Sequence, residues 1–121
     1  MKTIGIAFAV LFASAVRAEE PRKPTPAEWA LLGAAEGLIV VDMLQTLDLK
    51  RHPGAYEVNP LLGSHPSDAR VIVTGVAAGT ATAALWYALP SRIRWIVPLF
   101  VGIGEGFVIA SNAQAGMTIR F

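Results

Sequence analysis

The sequence predicts an all-α membrane protein with three transmembrane helices following an N-terminal signal peptide. Three observations lead there. Of 121 residues, 54% are hydrophobic and only 16% charged, against roughly 25% charged in soluble domains. A chain this short has too little interior to hide so much apolar surface. Three long apolar stretches also recur along the chain, each close to the ~20 residues that cross a bilayer and each bounded by proline, glycine or capping residues.

Composition removes several function classes. No cysteine is present, so there is no disulfide framework, thiolate nucleophile or sulfur-ligated metal. Net charge is +1 and the basic residues are scattered, which gives nucleic-acid binding no support. The glycines follow no strand pattern that would cradle a nucleotide phosphate. No Gly-x-Ser-x-Gly, His-Glu-x-x-His or Ser/Lys arrangement occurs.

Residues 1–18 have the parts of a secretory signal: Lys2 as the positive region, Ile4 to Phe12 as the apolar core, then small residues. Cleavage after Ala18 starts the mature chain at Glu19. Arg17 is unusual beside that cut, so cleavage after Ala15 stays open, as does an uncleaved anchor. Residues 19–25, rich in charge and proline, form an extended lead-in.

The first helix is expected over about 26–50. Thr25 caps it, Pro26 suits the first position, and Glu28 stands where a capping box wants an acid. Glu36, Asp42, Gln45 and Thr46 interrupt its apolar surface. At 100° per residue Asp42, Gln45 and Thr46 share one face, while Glu36 lies well round from Asp42. An acid at mid-span costs about 2.5–3.5 kcal/mol on insertion scales, so this face turns toward protein or water.

His52-Pro53-Gly54 ends that helix, and residues 51–67 form the one long loop. Within it Asn59-Pro60-Leu61-Leu62 reads as a short helical turn capped by Asn59 and ended by Gly63. His52 and His65 read as solvated loop residues. The second helix, about 68–89, is capped by Ser64 or Ser67 and carries Gly75-x-x-x-Gly79, a ridge for close helix packing. The third, about 93–114, has Pro98 at a kink or in its first turns, a second ridge Gly102-x-x-x-Gly106, and a polar stripe of Glu105 and Asn112.

Asp42, Gln45 and Thr46 can thus face Glu105 and Asn112, with Glu57 and Asn59 closing the end from the loop. Buried carboxylates without a basic partner do not all stay ionised: either a cation sits among them or some are protonated. Asp42, Glu57 and Glu105 are the candidate metal ligands, and an all-oxygen set suits a hard cation better than zinc. The alternatives are interhelical hydrogen-bond glue and a general base acting on a lipid substrate.

Asp42-x-x-x-Thr46 followed by Glu57-x-Asn59-Pro60-Leu61 resembles a family of small uncharacterised bacterial and archaeal membrane proteins. Its members carry a D-x-x-x-T helix and an E-x-N-P segment. The likeness covers about twenty residues and implies a fold of three or four helices and a site, but no reaction.

Trp29, Trp86 with Tyr87, and Trp95 can all be placed at one membrane interface. That puts the mature N-terminus outside a bacterial inner (plasma) membrane, and the loop 51–67 and the C-terminus with Arg120 in the cytoplasm. Expected partners are the lipid bilayer and a second copy or another membrane protein. Three roles remain: a structural or cation-coordinating membrane subunit, a proton- or ion-coupled transporter, and a lipid enzyme.

Overall fold

The computed structural model describes residues 22–52, 54–57 and 59–119. The expected leader, the first part of the lead-in and Arg120 lie outside the described residues. Those described form helices and turns without any strand. α1 spans Pro26–Asp48, α2 Asp68–Ala88 and α3 Ile96–Gln114. With the Leu49–Arg51 3₁₀ turn that extends α1, all three helices are long and apolar enough to cross a membrane.

Local chemistry sets each boundary. The Glu28 amide donates to Thr25 Oγ1 (3.3 Å), and the Thr25 amide donates back to Glu28 Oε2 (2.7 Å). This reciprocal box satisfies two of the donors that a helix start leaves open. Pro26 takes the first position, where no N–H is needed. At the other end His52 leaves helical geometry, as expected of a residue before proline, and Gly54 turns the chain at φ +89°. α2 starts where Ser67 Oγ accepts from the Arg70 amide (3.3 Å). It stops at Leu89, held extended ahead of Pro90.

α3 begins at Ile96, three residues later than the sequence suggests. In a helix started at Ile93, Pro98 would be the sixth residue and would owe a hydrogen bond it cannot donate. Residues 90–95 instead make tight turns, with the Pro90 carbonyl accepting from both Ile93 and Arg94. Pro98 then falls in the first turn of α3. The far end closes as a Schellman motif: Met117 donates to the Asn112 carbonyl and Gly116 to Ala113, both at 3.0 Å. Gly116 supplies the φ of +85° that this motif requires.

α1 is the hub. It packs most extensively on α3, less on α2, and α2 and α3 meet least. Leu32, Ala35 and Ile39 form its buried apolar stripe. Toward α2, a Cβ built on Gly75 would come within 2.9 Å of Met43 Sδ, and one on Gly79 within 2.5 Å of Glu36 Oε2. Glu36 therefore faces α2, whereas Asp42 faces α3. Toward α3 the approach is looser: a Cβ on Gly102 would meet Leu38 at 3.7 Å, and one on Gly106 would meet nothing within 4 Å. The second glycine ridge is thus only half engaged within this chain.

The helices run up, down and up, which gathers the tryptophans at one end. Trp86 differs from a membrane-interface anchor: only 1% of it is exposed. Its ring lies 4.7 Å from that of Trp29, and the Arg94 guanidinium sits 5.6 Å from its centroid. Arg94 is buried with it and donates to the Arg22 carbonyl (3.4 Å). Trp29 and Trp95 stay about half exposed.

The glycine contacts set an asymmetric expectation. Gly79→Leu should destabilise the protein by about 1–3 kcal/mol through overpacking against Glu36. Gly106→Leu should leave thermal unfolding in detergent close to that of the unaltered chain. Equal losses at both positions would contradict the observed packing.

Candidate functional site

The residues that meet at the loop end of the helices come from three elements. Asp42, Gln45 and Thr46 lie on the last two turns of α1, Asn112 on the last turn of α3, and Glu57 and Asn59 in the loop. One direct bond crosses between helices: Asn112 Nδ2 donates to Asp42 Oδ1 at 2.9 Å. The Schellman motif uses the Asn112 backbone carbonyl, so main chain and side chain of one residue close α3 and join it to α1.

A second pair fastens the loop. Thr46 Oγ1 donates to Glu57 Oε2 at 3.4 Å, at the long edge of hydrogen bonding. The other Glu57 oxygen accepts from the Asn59 amide at 2.8 Å. Asn59 Oδ1 in turn accepts from the Leu61 amide, and the Asn59 carbonyl accepts from Leu62 and Gly63. Asn59 is therefore an exposed cap for one helical turn rather than a wall of the cluster. That turn ends at Gly63, φ +76°. The Glu57 amide donates to the Ser64 carbonyl and Arg70 Nε to the Leu61 carbonyl, closing the loop on itself and on α2.

Electrostatics links the pairs. Glu57 and Glu105 both lie within Coulombic range of Asp42. Glu105 sits one α3 heptad before Asn112, about 10 Å further from the loop end. Gln45 departs from the expected set: it is buried, and its Oε1 has no hydrogen-bond partner.

Among the described residues no three Asp, Glu or His side chains group closely enough to hold a metal ion. Asp42 is engaged by Asn112, and Glu57 by Thr46 and the Asn59 amide, so Asp42, Glu57 and Glu105 do not converge on one point.

Two residues of this end carry more than their sequence suggests. Asp48 is 5% exposed, and its Oδ2 accepts from the Thr118 amide (3.2 Å) and hydroxyl (3.4 Å). Its position six after Asp42, on the far side of Thr46, was the available signal. His52 is not the free loop histidine expected. Its Nδ1 lies 3.1 Å from the Asp48 carbonyl and its Nε2 3.0 Å from the Gly116 carbonyl. His65 is exposed and meets Ser64 Oγ at 3.2 Å. Both histidines line a cavity of about 180 Å³, with Thr46, Lys50 and Asp68.

Comparison of the chain with protein-family models, with curated proteins and with solved structures returns no match.

The Asp42–Asn112 contact is testable by a double-mutant cycle. Asp42→Ala, Asn112→Ala and the double variant should yield a coupling energy of about 0.6–1.7 kcal/mol, the range of interhelical hydrogen bonds in membrane proteins. A coupling indistinguishable from zero would remove this bond as a fastening between α1 and α3.

Proposed function

We propose that the chain is a small integral membrane protein, crossing a bacterial inner membrane three times, whose polar cluster holds its helices and loop in one arrangement for assembly. The loop 51–67 and the C-terminus face the cytoplasm in this reading. The protein acts as a subunit, with itself or with another membrane protein, and the likeness to the D-x-x-x-T and E-x-N-P family belongs to the same proposal. The observation that carries it is the 2.9 Å bond between Asn112 and Asp42, which joins the two helices that pack most extensively.

Magnitudes support a fastening role. Asp42 lies six residues before the end of α1, about 9 Å along the axis, so its insertion cost is below the 2.5–3.5 kcal/mol or so of a mid-membrane acid. A hydrogen bond worth up to about 1.7 kcal/mol offsets a large part of that reduced cost. The outward apolar surface suits lipid or a partner helix: Val73, Val76, Phe100, Ile103 and Phe107 are all more than half exposed.

A second reading rests on the order of the acids. Glu105, Asp42 and Glu57 descend from the middle of α3 to the loop, with Asp42 in electrostatic contact with both others. Such a row can pass protons from one carboxylate to the next, as in a proton-coupled transporter.

Asp42→Asn separates the two. The amide keeps an oxygen for Asn112 but does not exchange protons. In the fastening reading yield and detergent stability fall with Asp42→Ala but largely persist with Asp42→Asn, and proteoliposomes show no proton, sodium or magnesium flux before or after either change. Flux in the unaltered protein that vanishes in Asp42→Asn would replace the fastening reading with the proton relay. Topology has its own check. The chain has no cysteine, so a single Gly54→Cys should be labelled by an impermeant maleimide only after the cytoplasmic face is opened.

A further inference from the structure

We infer that His52 is a proton-dependent clasp, holding the C-terminal segment after α3 against the end of α1 when its ring carries two protons. The argument is one of donors and acceptors. Its Nδ1 faces the Asp48 carbonyl at 3.1 Å and its Nε2 the Gly116 carbonyl at 3.0 Å. A carbonyl oxygen only accepts, so each contact is a hydrogen bond only if that ring nitrogen bears a hydrogen. Neutral imidazole has one N–H, and imidazolium has two. In the neutral ring, one nitrogen lone pair would point at a carbonyl lone pair at about 3 Å, and that contact would repel.

The Asp48 carboxylate lies 3.7 Å from His52 Nδ1 and is buried. The same carboxylate accepts from the amide and hydroxyl of Thr118. Acid and ring therefore grip the C-terminal segment at two points, Thr118 and Gly116. Other charged groups face the ring from each neighbouring element. Arg51 pairs with Asp48 at 3.7 Å. Lys50 is bound to Asp68 of α2 (2.5 Å), and both line the cavity that His52 shares with His65 of the loop. Residues 115–119 of the C-terminal segment carry no titratable side chain.

Gly116 makes the grip consequential. It is the left-handed residue that ends α3, and a Cβ there would lie 3.8 Å from His52 Nε2. The same motif holds the Asn112 backbone, whose side chain reaches Asp42. Protonation of His52 therefore secures the end of α3 from outside, and its loss releases the Gly116 point of the grip while Asp48 still holds Thr118. The sign follows from linkage: the closed form binds the extra proton, so closure is favoured as pH falls and lost as pH rises.

The full chain in lipid nanodiscs tests this, with nitroxide labels on Val73→Cys and Ile119→Cys and electron–electron distances read at about pH 5 and about pH 8.5. The expected result is one narrow distance at acid pH and a broader distribution at alkaline pH. His52→Gln, neutral throughout, should show the same distribution at both values, with helical circular dichroism confirming that it folds. Nitrogen-15 spectra of the unaltered protein should show both His52 ring nitrogens protonated in the closed form. A distance distribution that does not change with pH would overturn the proposal. So would a pH response retained in His52→Gln, or a closed segment over a singly protonated ring.

Discussion

A polar group taken out of water must find a partner, and the arrangement of this molecule's loop end follows from that constraint. α1 brings Asp42, Gln45, Thr46 and Asp48 to its last two turns, where the neighbouring helices and the loop cover them. Each acid of this group is met by a donor from a distant part of the chain: Asn112 for Asp42 and Thr118 for Asp48. Both donors belong to α3 or the segment after it. The strong pairing of α1 with α3, and the weak pairing of α2 with α3, accord with where those donors sit.

The two ends of the molecule solve different problems. At the loop end, the carboxylates of Asp42 and Asp48 accept from amides and a hydroxyl, while the buried Gln45 Oε1 has no hydrogen-bond partner. At the other end a bulky aromatic, Trp86, is enclosed by Trp29 and Arg94, and a cation is buried against ring faces instead of a carboxylate. Between them the contact of α1 with α2 depends on small residues. Gly75 and Gly79 leave room for Met43 and Glu36, so an acid near the middle of α1 fits beside a neighbouring backbone.

Several elements were legible in the sequence because their causes are local. Thr25-Pro26-x-Glu28 encodes a capping box within four residues, and Asn59-Pro60 encodes a turn in the same way. The Asp42 and Asn112 positions were legible as polar residues on otherwise apolar helices. α3 starts three residues after the position the apolar pattern suggests, and of the two places open to Pro98, a kink or the first turns, its missing N–H suits the first turn. His52 looked like a solvated loop residue because its partner, the Gly116 carbonyl, lies 64 residues away and is backbone, which leaves no mark in side-chain pattern.

By itself, then, the sequence determined the helical class, the number of long apolar segments and the caps that bound most of them. Hydropathy and hydrogen bonding to the next few residues suffice for those. Only the tertiary structure decided that Glu36 turns to α2 while Asp42 turns to α3, and that Asp48 and His52 meet the C-terminal segment. Those outcomes depend on how helices rotate and approach one another, and a small-residue gap or a distant carbonyl settles that only once the chain is folded.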